Sequence, residues 1–249
     1  MMERTVKKID QKQLVIKRWP VAIRMTLLVV AMAVGVVLGI FGGNSRPSYH
    51  MGPEGVKIAN VPDLGSANTT APGTPIDGIT CRGASDQLVN WHTHSHVAVY
   101  VDGSLRRLPA GIGITQPRLV EHFADGTFYD VGIGDCLYWL HTHTYDDIIH
   151  TEAPYRHTFT LGQFFDIWRQ PLGTDRVGPA KGHVVAFLNG KRFNGNPRNI
   201  PLLKHSVIQL DVGSPVVPFQ PFIYKVTGLC AASSNSCAVS KGSLSKVSS

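Results

Sequence analysis

CLYWLHTHTYDDIIHTE, running from Cys136 to Glu152, is the stretch whose reading decides the fold, and it answers an earlier one, WHTHSHVAVYVDG, from Trp91 to Gly103. Between them they carry His92, His94, His96, His141, His143 and His150, out of 11 histidines in the chain. Side chains alternate between the faces of a β-strand, so His92, His94 and His96 project from one face, as do His141 and His143, and again His150 with Glu152. If these strands are neighbours, imidazoles and one carboxylate converge. Neutral imidazole is a good ligand for zinc and copper, and a carboxylate completes such a shell.

The expected ligand set is therefore His94, His96, His141 and His143, with His150 and Glu152 either as further ligands or as groups that orient an imidazole. His92 belongs at the rim. The bland alternative is a sheet surface whose histidines bond to Thr93, Thr142, Thr144 or water, but six histidines in two short segments favour a metal or proton-linked role over that. His122, His157, His183 and His205 read as structural, His157 being the nearest to joining the site, and His50 as a solvated side chain. Asp146 and Asp147 read as solvated turn residues able to supply a carboxylate. Cys136 shortly before His141 has the order of a blue-copper loop, but no axial methionine follows where one is needed, and Cys81 offers Cys136 a disulfide partner.

Outward from these stretches, His96 to Val101 followed by Asp102-Gly103 predicts a strand entering a type I′ hairpin, and HVVAFLNG at 183–190 repeats HVAVYVDG at 96–103. VIQLDVGSPVV from Val207 to Val217 predicts a further buried strand. One stretch argues for a helix: Thr160 with Gln163 makes a capping box, and Leu161, Phe164, Phe165 and Trp168 then share a face. The expected fold is mostly β: a single antiparallel, β-sandwich-like domain over residues 79–230 with one short helix.

The formal charge of +7 is concentrated near the start, where residues 1–41 carry seven Lys/Arg against Glu3 and Asp10, a net of +5 that leaves +2 for the remainder. No basic surface interleaved with aromatics remains to argue for nucleic acid. MTLLVVAMAVGVVLGIF, from Met25 to Phe41, is uncharged, and with the apolar residues ahead of Arg24 it reaches the roughly 20 residues that a spanning helix needs. The expected order is a basic cytoplasmic tail (1–20), a transmembrane helix (21–41), a Gly/Pro/Ser-rich linker (42–78), the extracytoplasmic domain (79–230) and a disordered tail (231–249). A cleaved signal peptide is the alternative for the apolar run, disfavoured by its length and by the lack of an A-x-A-like site. An external, oxidising compartment suits a disulfide; Cys81 with Cys136 is the favoured pair, Cys230 with Cys237 a weaker one.

From Ile79 to Pro218 the chain resembles a family of uncharacterised, membrane-anchored extracytoplasmic proteins of bacteria and archaea. The resemblance is carried by His92-x-His94-x-His96, Pro109 with GIGI at 111–114, CLYWLHTH at 136–143, IIHTEAP at 148–154, FTLGQFFDIW at 159–168, QPL at 170–172 and IQLDVGSPVV at 208–217. It implies an architecture and a shared histidine region rather than a reaction. The family favours Asp after the HTH motif and Gly before the II pair, where this chain has Thr144 and Asp147, so Asp146 or Asp147 would have to replace that Asp. Three functions are then expected in order: a copper- or zinc-binding module acting as an accessory component of a membrane complex; a metalloenzyme with Glu152 as the candidate catalytic group; and a metal-free interaction module whose histidines titrate near neutral pH.

Overall fold

The structure is a computed structural model that describes residues 46–83, 85 and 89–224. The expected cytoplasmic tail, transmembrane helix and C-terminal tail, with Cys230 and Cys237, lie outside the described residues. Among the described residues no helix is long and apolar enough to cross a membrane.

In chain order the strands are β1 (Tyr49–Met51), β2 (Lys57–Ala59), β3 (Cys81–Arg82), β4 (Trp91–Val101), β5 (Ser104–Arg106), β6 (Arg118–Phe123), β7 (Gly126–Val131), β8 (Leu137–Tyr138), β9 (Leu140–His141) and β10 (Ile148–Ala153). After the helix α1 (Leu161–Trp168) follow β11 (Arg176–Val177), β12 (Ala180–Lys181), β13 (Val184–Leu188), β14 (Lys191–Phe193) and β15 (Ser206–Val212). The main sheet runs β14-β13-β15-β4-β10-β9, with β5 paired to β4. It is mostly antiparallel, as expected, with one exception: β15 lies parallel to β4, with Ile208 opposite Val97 and Leu210 opposite Val99. A parallel neighbour requires a long crossover, and here the crossover is everything between β4 and β15, including β10 and α1.

Both predicted hairpins form. Asp102 and Gly103 have φ of 49° and 74°, Asn189 and Gly190 of 50° and 82°, so each two-residue turn has the paired positive φ of type I′. The two matching strands, β4 and β13, flank β15 from either side. Helix α1 begins where the capping box places it, with the Thr160 side chain accepting from Gln163 N and the Gln163 side chain returning to Thr160 N. Its Leu161, Phe164, Phe165 and Trp168 are fully buried in one apolar cluster with Val97, Val99, Ile149 and Leu210 of the sheet.

Residues 47–78, expected as a linker, belong to the compact unit that begins at Pro47. They supply β1, β2 and the buried Ile58, Leu64, Ala67 and Ala71. The elements here are only three residues long and separated by Gly- and Pro-rich turns, so no strand or helix period persists. The Cys81–Cys136 disulfide is formed, and it clamps β3 beside β8, where Cys81 lies opposite Tyr138.

Candidate metal centre

Register brings the histidines together. In the β4–β10 ladder His94 faces His150, His92 faces Glu152 and His96 faces Ile148, while in the β10–β9 ladder His150 faces His141. His94, His150 and His141 thus form one rung across three adjacent strands. The opposite faces of the same strands carry Val97, Val99, Ile149 and Leu140, which enter the apolar cluster with α1. Strand alternation therefore separates a dry face from a histidine face.

His143 follows the end of β9, and its ring is placed by contacts from outside the sheet. It stacks on Phe128 of β7 with ring centroids 4.4 Å apart and planes inclined by 11°. Between the two histidines Thr142 turns the other way: its hydroxyl donates to Pro109 O at 2.9 Å and accepts from Ile112 N at 3.1 Å. The GIGI loop is thereby sewn along 138–142, and Gly113 (φ 77°) packs so closely that a Cβ there would collide with the Leu140 carbonyl and His141. This is the reason for glycine at that position.

The tautomers of the central pair follow from their partners. His141 Nδ1 lies 2.8 Å from Tyr138 O and His143 Nδ1 lies 2.7 Å from Tyr129 O. A carbonyl only accepts, so each Nδ1 carries the proton and each Nε2 presents a lone pair. Those two Nε2 atoms face one another at 3.0 Å. Two lone pairs at that distance repel unless a proton or a metal ion stands between them. At Zn–N distances of about 2.0–2.1 Å, two imidazoles on one ion place their nitrogens roughly 3 Å apart.

His150 is oriented by a carboxylate. Its Nε2 lies 3.3 Å from Glu54 Oε2, leaving Nδ1 buried without a hydrogen-bond partner and 4.0 Å from Glu152 Oε1. Glu152 Oε1 is also 3.9 Å from His141 Nε2. His141, His143, His150 and Glu152 each offer one ligand atom, all within 4.8 Å of one another, and His92, His94 and His150 do the same. His96 enters neither group: its ring stacks on Phe222 at 4.0 Å. Beside it lies a cavity of about 350 Å³ that also touches Glu54, Tyr100 and Phe222.

Burial sets the electrostatics. His141 and His150 are held neutral, their pKa values pushed well below the ordinary one by burial first and then by neighbouring imidazoles. His94 is lowered for the same two reasons, and His96, by burial, to about 3. Neutral imidazole is the form that binds metal. For His94, His96, His141 and His150 this packing works against the expected titration near neutral pH.

Glu54, Asp146 and Asp147 revise the expected picture. Asp146 and Asp147 are buried and not solvated turn residues. Asp147 adopts φ 63° and accepts from Leu108 N at 2.6 Å, anchoring the turn to the 105–110 loop. Burial raises the pKa of Asp146 well above its usual range, and the Glu54 charge adds to this; Glu54 is also raised by burial. Asp146 sits beside Glu54, whose Oε2 lies 3.3 Å from His150 Nε2. Glu54 gives no signal in the sequence, being a single acid in the Gly/Pro-rich stretch MGPEGV. The carbonyls of Tyr129 and Tyr138 are backbone groups and equally silent. His50, His122, His157, His183 and His205 stay outside both groups, and His157 packs instead against Phe159, with ring centroids 4.8 Å apart.

No family model, curated protein or solved structure matches this chain. Function is therefore read from the geometry of the site.

Proposed function

We propose that this is a single-pass membrane protein whose extracytoplasmic domain binds a transition-metal ion, zinc or copper, through His141, His143, His150 and Glu152. One observation carries the reading: two buried Nε2 atoms 3.0 Å apart, each with its opposite nitrogen committed to a backbone carbonyl. The support around them has the form such sites need. Carbonyls fix the tautomers of His141 and His143, and a carboxylate fixes that of His150. The basic, apolar N-terminal sequence supports the membrane anchor, and the disulfide suits an oxidising exterior. The role is metal handling beside a membrane complex.

Elemental analysis of the full-length chain, purified in detergent without a histidine tag, tests this. Retained zinc or copper that is lost in the His141→Ala, His143→Ala double variant supports the site. Absence of either metal after reconstitution overturns it.

A catalytic version is favoured by one further observation. Glu152 and His92 are 15% and 19% exposed, so the site has one edge open to solvent, through which a water or a small substrate reaches the metal. A bound metal would supply Lewis acidity there. Loss of turnover in Glu152→Gln with metal retained supports catalysis; full turnover in that variant contradicts a catalytic role for Glu152.

A further inference from the structure

The four-residue site leaves two histidines unexplained. His92 and His94 occupy the same face of β4 as the rest, with ring centroids 4.7 Å apart, and the His94 ring meets that of His150 edge-on at 4.6 Å. The Nε2 atoms of both are shielded from solvent and have no hydrogen-bond partner. Glu152 Oε1 lies 3.2 Å from His92 Nε2 without the angle of a hydrogen bond, and 3.9 Å from His141 Nε2. One carboxylate thus stands between the two histidine groups.

We propose that the pocket holds two metal ions side by side, the second bound by His92 and His94, with Glu152 reaching both. This rests on the metal-binding reading above and extends it. The donor count argues for it: five imidazoles and a two-oxygen carboxylate exceed the four ligands of a tetrahedral ion. His150 cannot supply both ions, because Glu54 engages its Nε2 and leaves Nδ1 alone free to coordinate. Glu152 is the group with two oxygens to divide, and a carboxylate spans the roughly 3.5–4 Å separation usual for paired metals. Two imidazoles and one oxygen of Glu152 make three ligands, so the second ion would keep a coordination position for water or a small oxygen-donor ligand.

The test is metal stoichiometry on the full-length chain in detergent, by equilibrium dialysis against zinc(II), with copper(II) loading followed by electron paramagnetic resonance. Two equivalents of zinc per chain are expected, falling to one in the His92→Gln, His94→Gln double variant. Copper-loaded parent protein should show a spin-coupled signal with intensity below two isolated ions, and the variant a full-intensity mononuclear spectrum. One equivalent in the parent overturns the second ion and leaves the first site standing, whereas no metal overturns both. Two equivalents with two uncoupled, full-intensity signals contradict the shared Glu152. Because the parent's stoichiometry and spectrum decide by themselves, a variant that fails to fold does not obscure the answer.

Discussion

The two faces of β4 differ in what they ask of the same backbone. One face presents Val97 and Val99, fully buried against the cluster that includes Phe164, Phe165 and Trp168 of α1. The other presents His92, His94 and His96, whose ring nitrogens include buried atoms with no hydrogen-bond partner. Apolar burial stabilises at about 25 cal/mol per Å², whereas each buried, unsatisfied polar group costs about 1–3 kcal/mol. The first face supports the fold and the second burdens it. On the metal-binding reading proposed above a bound ion offsets that cost, and the variants below separate the two roles.

The largest expected effect is on the histidine face. His141→Ala with His143→Ala removes the facing Nε2 pair and should abolish metal retention, as read by elemental analysis, with the fold retained by circular dichroism. On the dry face, Phe165→Ala should cost about 3–5 kcal/mol in denaturant unfolding by leaving a cavity, and in the folded protein the metal stoichiometry should be unchanged. If Phe165→Ala removed the metal selectively, the two faces would not be separable in this way.

A smaller effect is expected at Glu54. Glu54→Gln keeps a group near His150 Nε2 but loses the charge, and orienting partners of this kind are worth roughly 10–100-fold in metal affinity. Chelator competition measures it; unaltered affinity would mean that Glu54 does not position His150. The smallest effect has the opposite sign. His94→Leu replaces a partnerless buried nitrogen with an apolar group, and should raise the stability of the metal-free protein by about 1 kcal/mol. If the metal-free protein is instead destabilised, His94 has a structural partner.

Much of this division is legible in the order of the residues alone. Period-two spacing assigns His92, His94 and His96 to one face and His150 with Glu152 to another, and Asp102-Gly103 and Asn189-Gly190 announce their turns. The capping box at Thr160 places α1, and the Cys81–Cys136 pair, one of three pairings four cysteines allow and the one favoured from their positions around the histidine stretches, is formed. The rest depends on tertiary packing. His96 shares the alternation of His94, yet Phe222, distant in sequence, stacks on its ring. Glu54 reaches His150 across 96 residues from a segment without periodicity. The parallel pairing of β15 with β4 leaves no mark on either strand, because the pairs that meet on the dry face, Ile208 with Val97 and Leu210 with Val99, are apolar and would suit either strand direction. Spacing reveals faces, but which ring nitrogen is free follows from backbone carbonyls that no residue type encodes.

X-ray absorption at the metal edge of the reconstituted full-length protein tests the central claim most directly. The account predicts a first shell of nitrogen and oxygen at about 2.0–2.1 Å, with outer-shell scattering from at least two imidazoles that disappears with His141 and His143. A shell of water-like oxygen alone, without imidazole scattering, would contradict it.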